Sequence, residues 1–182
     1  MRSGNSKKKV YIDEELFKQI RMGDQDAFRE LYEVSYKPLY AFLLSLTQNA
    51  DDAQDLLQDT YIQIHKNCHM YEQNGNPMAW IMKVGKNLFL MKYRKDRVRQ
   101  FVNYEDMENE LGFAQIEDVD NRILLEKMFA QLSQEDRELI IMHDLSGMKF
   151  KEIAALVEKP LGTVLARYNR SIRKLQKEFS GR

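Results

Sequence analysis

The chain has 182 residues, and its 28 Lys and Arg balance 28 Asp and Glu to a formal net charge of zero. With 31% charged and 43% apolar residues it has a globular composition, not a disordered one, and its length suits one mid-sized domain or two small ones. The single cysteine, Cys68, excludes an intrachain disulfide framework and points to a reducing, cytoplasmic setting; no apolar run approaches the roughly 18 residues of a membrane span, so no membrane insertion is expected.

The N-terminus, MRSGNSKKKV, is basic but is not followed by the apolar stretch of a secretory signal, so residues 1–12 read as a tail. A first helix starts near Asp13, with Leu16, Phe17 and Ile20 at helical spacing, and Gly23-Asp24 ends it. Asp24 is a good N-cap for a second helix through Ala27, Phe28, Leu31 and Tyr32 towards Leu46. After the turn at Asn49-Ala50-Asp51, a third helix places Ala53, Leu56, Leu57, Thr60 and Ile64 on one face. Asn-Gly and Pro mark Tyr71 to Pro77 as a loop, and a fourth helix runs from Met78 to about Arg97.

Residues 98–120 are acidic and weakly periodic, and read as a linker. Asp120 or Asn121 can cap a helix through Ile123, Leu124, Met128 and Phe129. Ser133, with Asp136 three residues on, resembles a capping signal for a helix through Leu139, Ile140 and Met142. No useful β-alternation occurs. The expected class is all-α: two small helical bundles, 13–97 and 121–182, joined by a flexible acidic linker.

Zero net charge conceals segregation. Pro38 to His65 carries no Lys or Arg, but holds Asp51, Asp52, Asp55 and Asp59. Met82 to Gln100 has seven basic residues against one acid, and Lys149 to the end has nine against three. Blocks of this kind predict different partners for different surfaces.

The end of the chain, KEIAALVEKPLGTVLARYNRSIRKLQKEF, reads as a short helix, a break and a longer basic helix. With Val164 as zero and 100° per residue, Tyr168, Ser171, Leu175 and Phe179 fall within about 60° and Ile172 at about 80°. Arg170, Arg173 and Lys177 take the opposite half, with Arg167 and Lys174 at its edge. Phe150, Ile153, Ala154 and Val157 give the short helix a matching apolar face. This is the helix-turn-helix pattern, whose second helix enters the major groove.

The stretch LSQEDRELIIMHDLSGMKFKEIAALVEKPLGTVLARYNRSIRKLQ resembles region 4 of bacterial sigma factors of the sigma-70 family, extracytoplasmic-function type. GDQDAFRELYEVSYKPLYAFLLSLTQNADDAQDLLQDTYIQIHKN, with NPMAWIMKVGKNLFLMKYRK, resembles region 2. The resemblance implies a transcription initiation factor that binds RNA polymerase core, recognises −10 and −35 promoter elements and melts the promoter. Its implied partners are the clamp coiled coil and flap of the polymerase, promoter DNA and an anti-sigma factor. No cofactor is expected.

Several residues are candidates for these roles. Asp52, Asp55, Gln58 and Asp59 share one face of the third helix and suit a basic or mixed helical partner. In the loop, which in the family captures a flipped base, Tyr71 can stack and Asn74 and Asn76 can bond a base edge. On the fourth helix, Lys83, Lys86 and Asn87 suit phosphates and bases. Thr163 and the terminal helix's N-terminus suit a phosphate, and Leu165 and Ala166 can touch a thymine methyl. Arg167 and Arg170 are placed for base edges, Lys174 and Lys177 for phosphates. Glu158 stands at a turn position that the family often fills with Gly. The alternative is a sigma-like helix-turn-helix regulator that does not engage polymerase. His65, Cys68 and His69 have a metal-like spacing but no evident fourth ligand, so no metal is expected. No Walker loop, GxSxG or Rossmann fingerprint supports an enzyme, and an Asp51–Asp59 hydrolase site is the weaker rival.

Overall fold

The computed structural model describes residues 10–73, 75–99 and 131–180; side chains of 93–99 and 178–180 are outside that description. The expected linker, apart from its first two residues, and the expected helix through Ile123 and Phe129 lie outside the described residues, as does Asn74.

The first bundle is built from four helices: α1 (Glu15–Arg21), α2 (Gln25–Thr47), α3 (Ala50–Asn67) and α4 (Pro77–Arg99). A 3-10 turn, Cys68–Met70, follows α3. Asp24 caps α2 as expected, its carboxylate accepting from the backbone N–H groups of Asp26 (2.9 Å) and Ala27 (3.1 Å). Asn49 caps α3 by accepting from Asp52 N at 3.0 Å. Pro77 opens α4, where a missing N–H costs nothing. The apolar faces meet in a core that includes Phe17, Leu31, Phe42, Leu43, Leu56, Ile64 and Ile81. Gly85 lets α4 lie close on α2 and α3: a Cβ there would stand 3.0 Å from Leu43 Cδ2 and 3.3 Å from Thr60 Oγ1. Arg21 ties α1 to the end of α3, donating to the carbonyls of Cys68 (3.2 Å) and Tyr71 (2.8 Å).

The second bundle comprises α5 (Gln134–Ile140), a π-helical turn (Ile141–Leu145), α6 (Phe150–Leu156) and α7 (Leu161–Ser180). Ser133 is the N-cap of α5, as its spacing to Asp136 predicts. α6 ends in a left-handed residue, Glu158 at φ 55°. Lys159 N bonds back to Ala154 O at 3.0 Å, which closes the turn that sends the chain into α7. Val164, Ser171 and Leu175 are buried, so the stripe read from the sequence is the face by which α7 is held.

The two bundles touch. α5 and the π-helical turn pack on α2, and α6 packs on α4, so their buried apolar side chains form one continuous cluster.

Candidate nucleic-acid and polymerase interfaces

Because Ala53, Leu56, Leu57, Thr60 and Ile64 are buried, the remaining face of α3 is turned outward. Asp52, Asp55, Gln58 and Asp59 are all exposed on it, beside the half-exposed apolar side chain of Ile62. Asp52 is also paired with Lys92 of α4 at 3.4 Å. The result is a carboxylate ridge with an apolar member, of the kind that fits a partner helix carrying basic and apolar residues.

The basic residues of α4 are divided by their surroundings. Lys83 and Asn87 are exposed. Lys86 is not: its ammonium lies 3.7 Å from Glu138 of α5, a carboxylate that is buried and also accepts from Gln134 Nε2 at 3.0 Å. Asn76 is half-buried, and its carbonyl accepts the first helical N–H available to it, from Trp80 at 3.2 Å.

Tyr71 requires a correction. Its ring is 2% exposed, stacked on Phe17 at 4.1 Å and edge-on to Trp80 at 5.5 Å. A ring with these neighbours is a core side chain and offers no open face to a base. The loop periodicity was too short to show this: Tyr71 follows α3 by a 3-10 turn, and that turn swings it under α1.

On α7, Thr163, Ala166, Arg170, Lys174 and Lys177 are exposed, and Leu165 is 36% exposed at the outer surface. Arg167 is engaged from below by α5, with Nε donating to Asp136 Oδ1 at 2.7 Å and Nη1 to Glu135 Oε2. Lys174 Nζ donates to the carbonyl of Gln131. Of the α5 acids, Glu135 and Glu138 were not among the residues singled out in the sequence, and Asp136 was read only as part of the Ser133 capping signal. Their signal was a short acidic run just after the Ser133 cap, facing two basic helices.

Behind α7, Tyr168 Oη donates to the carboxylate of Asp144, 3.1 Å from each oxygen. Burial, reinforced by that carboxylate, raises its pKa above the ordinary value of 10.0. His143 stacks on Phe150 at 4.0 Å and its Nδ1 lies 2.9 Å from Met148 O, so the π-helical turn is locked against α6. His65 and His69 are exposed and Cys68 is buried; among the described residues no three His, Cys, Asp or Glu side chains are grouped to hold a metal. Among those residues, too, no helix is long and apolar enough to cross a membrane.

Two family models match the chain. Sigma-70 region 2 covers residues 31–99, and Sigma-70, region 4 covers residues 122–175. The ECF RNA polymerase sigma factor EcfG of Rhodopseudomonas palustris strain TIE-1 is 31% identical over 156 residues, which are 82% of this chain and 83% of that protein. The chain belongs to the extracytoplasmic-function sigma factors. The ECF RNA polymerase sigma factor SigW of Bacillus subtilis strain 168 is 24% identical over 175 residues, 89% of this chain and 94% of that one. Among solved structures, the sigma factor RpoE in complex with the anti-sigma factor NepR from Bartonella quintana aligns with a TM-score of 0.62 at 26% identity, covering 84% of this chain and 96% of that one. CnrH, solved with the cytosolic domain of CnrY, aligns with a TM-score of 0.64 at 21% identity, covering 94% and 99%; at that identity the likeness is one of fold. This sigma factor is therefore a promoter-directing transcription initiation factor, with region 2 in the first bundle and region 4 in the second.

Proposed function

We propose that the sigma factor divides initiation among three surfaces. The α3 ridge of Asp52, Asp55, Gln58 and Asp59 docks on the clamp coiled coil of core polymerase. The loop after α3, through Asn74 and Asn76, and the α4 side chains Lys83, Lys86 and Asn87 bind the melted −10 element. The outer face of α7 reads the −35 element, with Leu165, Ala166 and Arg170 near base edges and Thr163, Lys174 and Lys177 on phosphates. Region 4 also meets the polymerase flap. An anti-sigma factor is the inhibitor this reading implies, and the structural relative RpoE was solved with one.

The observation that carries the reading is the division of α7. Its buried residues, Val164, Ser171 and Leu175, anchor it to the bundle, while a row of basic residues on the other side stays exposed. A helix held in this way can enter a major groove without unfolding its support.

The test is reconstitution with core polymerase. Wild-type protein is expected to co-purify with core and to support promoter-dependent transcripts. Asp55→Lys combined with Asp59→Lys is expected to lose core binding with helical content intact, because both side chains are exposed. Wild-type affinity in the double variant would put the docking surface elsewhere. Failure of the wild-type protein to bind core at all would favour the regulator that does not engage polymerase.

A further inference from the structure

Tyr168 lies about 160° around α7 from Arg170, on the side by which the helix is held. Its hydroxyl donates to Asp144, 3.1 Å from each carboxylate oxygen. On the way its ring meets Phe150 edge-on, with centroids 4.9 Å apart, and His143 edge-on at 5.0 Å. Those two rings are stacked on each other at 4.0 Å. The cluster therefore joins the π-helical turn, α6 and α7. Asp144 is fixed in its own backbone. Ser146 N bonds to Ile141 O at 3.0 Å, five residues back, and Ser146 Oγ donates to the same carbonyl at 3.0 Å. Gly147, at φ 70°, then turns the chain so that Met148 N meets Met142 O at 3.0 Å. Wide turns of this kind are rare and recur at functional sites; here the turn sets Asp144 opposite the recognition helix.

A helix that reads bases must be held at one roll about its own axis. At the roughly 5–6 Å radius of a helix with its side chains, a roll of about 10° moves a side-chain tip by about 1 Å. Hydrogen bonds to base edges fade beyond about 3.2 Å, so that shift breaks them, while a long Lys on a phosphate can follow it. The apolar anchors Val164 and Leu175 resist withdrawal of α7, but apolar contact is non-directional and leaves roll weakly specified. The Arg167–Glu135 pair lies at the rim, with side chains 35% and 63% exposed, where water can replace either partner. The bond from Tyr168 to Asp144 is directional and half-buried, and it ends on a rigid turn.

We propose that Asp144 is a positioning residue for −35 recognition: acting through Tyr168, it fixes the roll of α7 so that Leu165, Ala166 and Arg170 meet base edges in one register. Neither Asp144 nor Tyr168 needs to touch DNA for this. The pair contributes to discrimination among sequences, because a helix free to roll keeps its phosphate contacts and loses its base contacts. The inference rests on the proposed −35 role of α7, and its test is arranged to separate the two.

The test uses the full-length protein assembled with core polymerase, and a duplex DNA library randomised over two windows, one at −35 and one at −10. Sequencing of bound against input DNA gives the base preference in each window. Tyr168→Phe keeps the ring and its packing and removes only the hydroxyl. It should flatten the −35 preference about threefold to tenfold at one or more positions and leave the −10 preference unchanged. Asp144→Ala should do the same, and Asp144→Asn, which keeps an acceptor, should restore most of the preference. Asp144→Ala combined with Tyr168→Phe should be no flatter than either alone, since both remove one bond. A structural role alone would lower the melting temperature and keep both preferences. Should Asp144→Ala not fold, by circular dichroism, Tyr168→Phe decides. A −35 preference as sharp in Tyr168→Phe as in wild type, a −10 preference that flattens with it, or single effects that multiply in the double variant each overturns the positioning role. A wild-type holoenzyme with a −10 preference and none at −35 would instead overturn the −35 reading of α7, and the positioning role with it.

Discussion

Asp136 holds Arg167: the carboxylate of the supporting helix α5 accepts from the guanidinium of the recognition helix α7 at 2.7 Å, with Glu135 on the other nitrogen. An arginine expected at the DNA from its position in α7 is a strut between two helices.

Arg167 and Arg170 are therefore expected to separate on mutation. Arg170→Ala should lose discrimination at one base pair of the −35 element, about 1–3 kcal/mol, with unchanged stability. Arg167→Ala should lower the melting temperature by the equivalent of about 1 kcal/mol or less, the value of a partly exposed ion pair. It should also weaken all sequences alike. Affinities for a −35 duplex and its single-base variants, beside thermal melts, check both. A specificity loss in Arg167→Ala at constant stability would show that it releases the acids and reads DNA.

Tyr71→Ala should behave as a core truncation, losing about 3 kcal/mol in denaturant unfolding, because the ring packs against Phe17 and Trp80. Asn76→Ala should leave stability nearly unchanged. It should reduce permanganate reactivity of unpaired promoter thymines, with rescue on a pre-melted template. Equal stability of Tyr71→Ala and wild type would contradict the packing.

Glu158 sits at φ 55°, where a side chain with a β-carbon is strained by about 1 kcal/mol. Glu158→Gly should fold with equal or slightly higher stability, the relief being partly offset by the greater chain entropy of glycine. Glu158→Val, which places a branched β-carbon in the left-handed region, should lower stability by about 1 kcal/mol or more. Melting temperatures of the three proteins give the order, and a Val variant as stable as Gly would mean that the turn is not left-handed.

Tyr61 is buried, with its hydroxyl 2.7 Å from Ser35 Oγ, and burial raises its pKa above the ordinary 10.0, against a smaller lowering by that hydrogen bond. The sign follows from linkage: the unfolded chain loses this proton first, so the contribution is complete below about pH 10 and declines as pH rises towards the folded value. Denaturant midpoints from neutral pH to the onset of alkaline unfolding should fall more steeply for wild type than for Tyr61→Phe. Parallel curves would show that Tyr61 ionises as freely in the fold as outside it.

Much of this molecule was legible as a string. Asp24, Asn49 and Ser133 lie at helix starts because a short polar side chain must satisfy the first free N–H groups, and that requirement is local. The apolar periodicity that buries Leu56, Ile64, Val164 and Leu175 is likewise local, and by subtraction it exposes Asp55, Asp59, Arg170 and Lys177. Periodicity says which side of a helix is covered, but not what stands opposite a polar residue at its edge. Lys86 and Glu138 are separated by about fifty residues of chain, Arg167 and Asp136 by about thirty, and each pair is joined only when whole helices dock. Tyr71 looked like a loop aromatic and became core because α1 folds over it. Tertiary packing alone decided those three, since burial and pairing depend on the distance between elements, and no short stretch of sequence contains that distance.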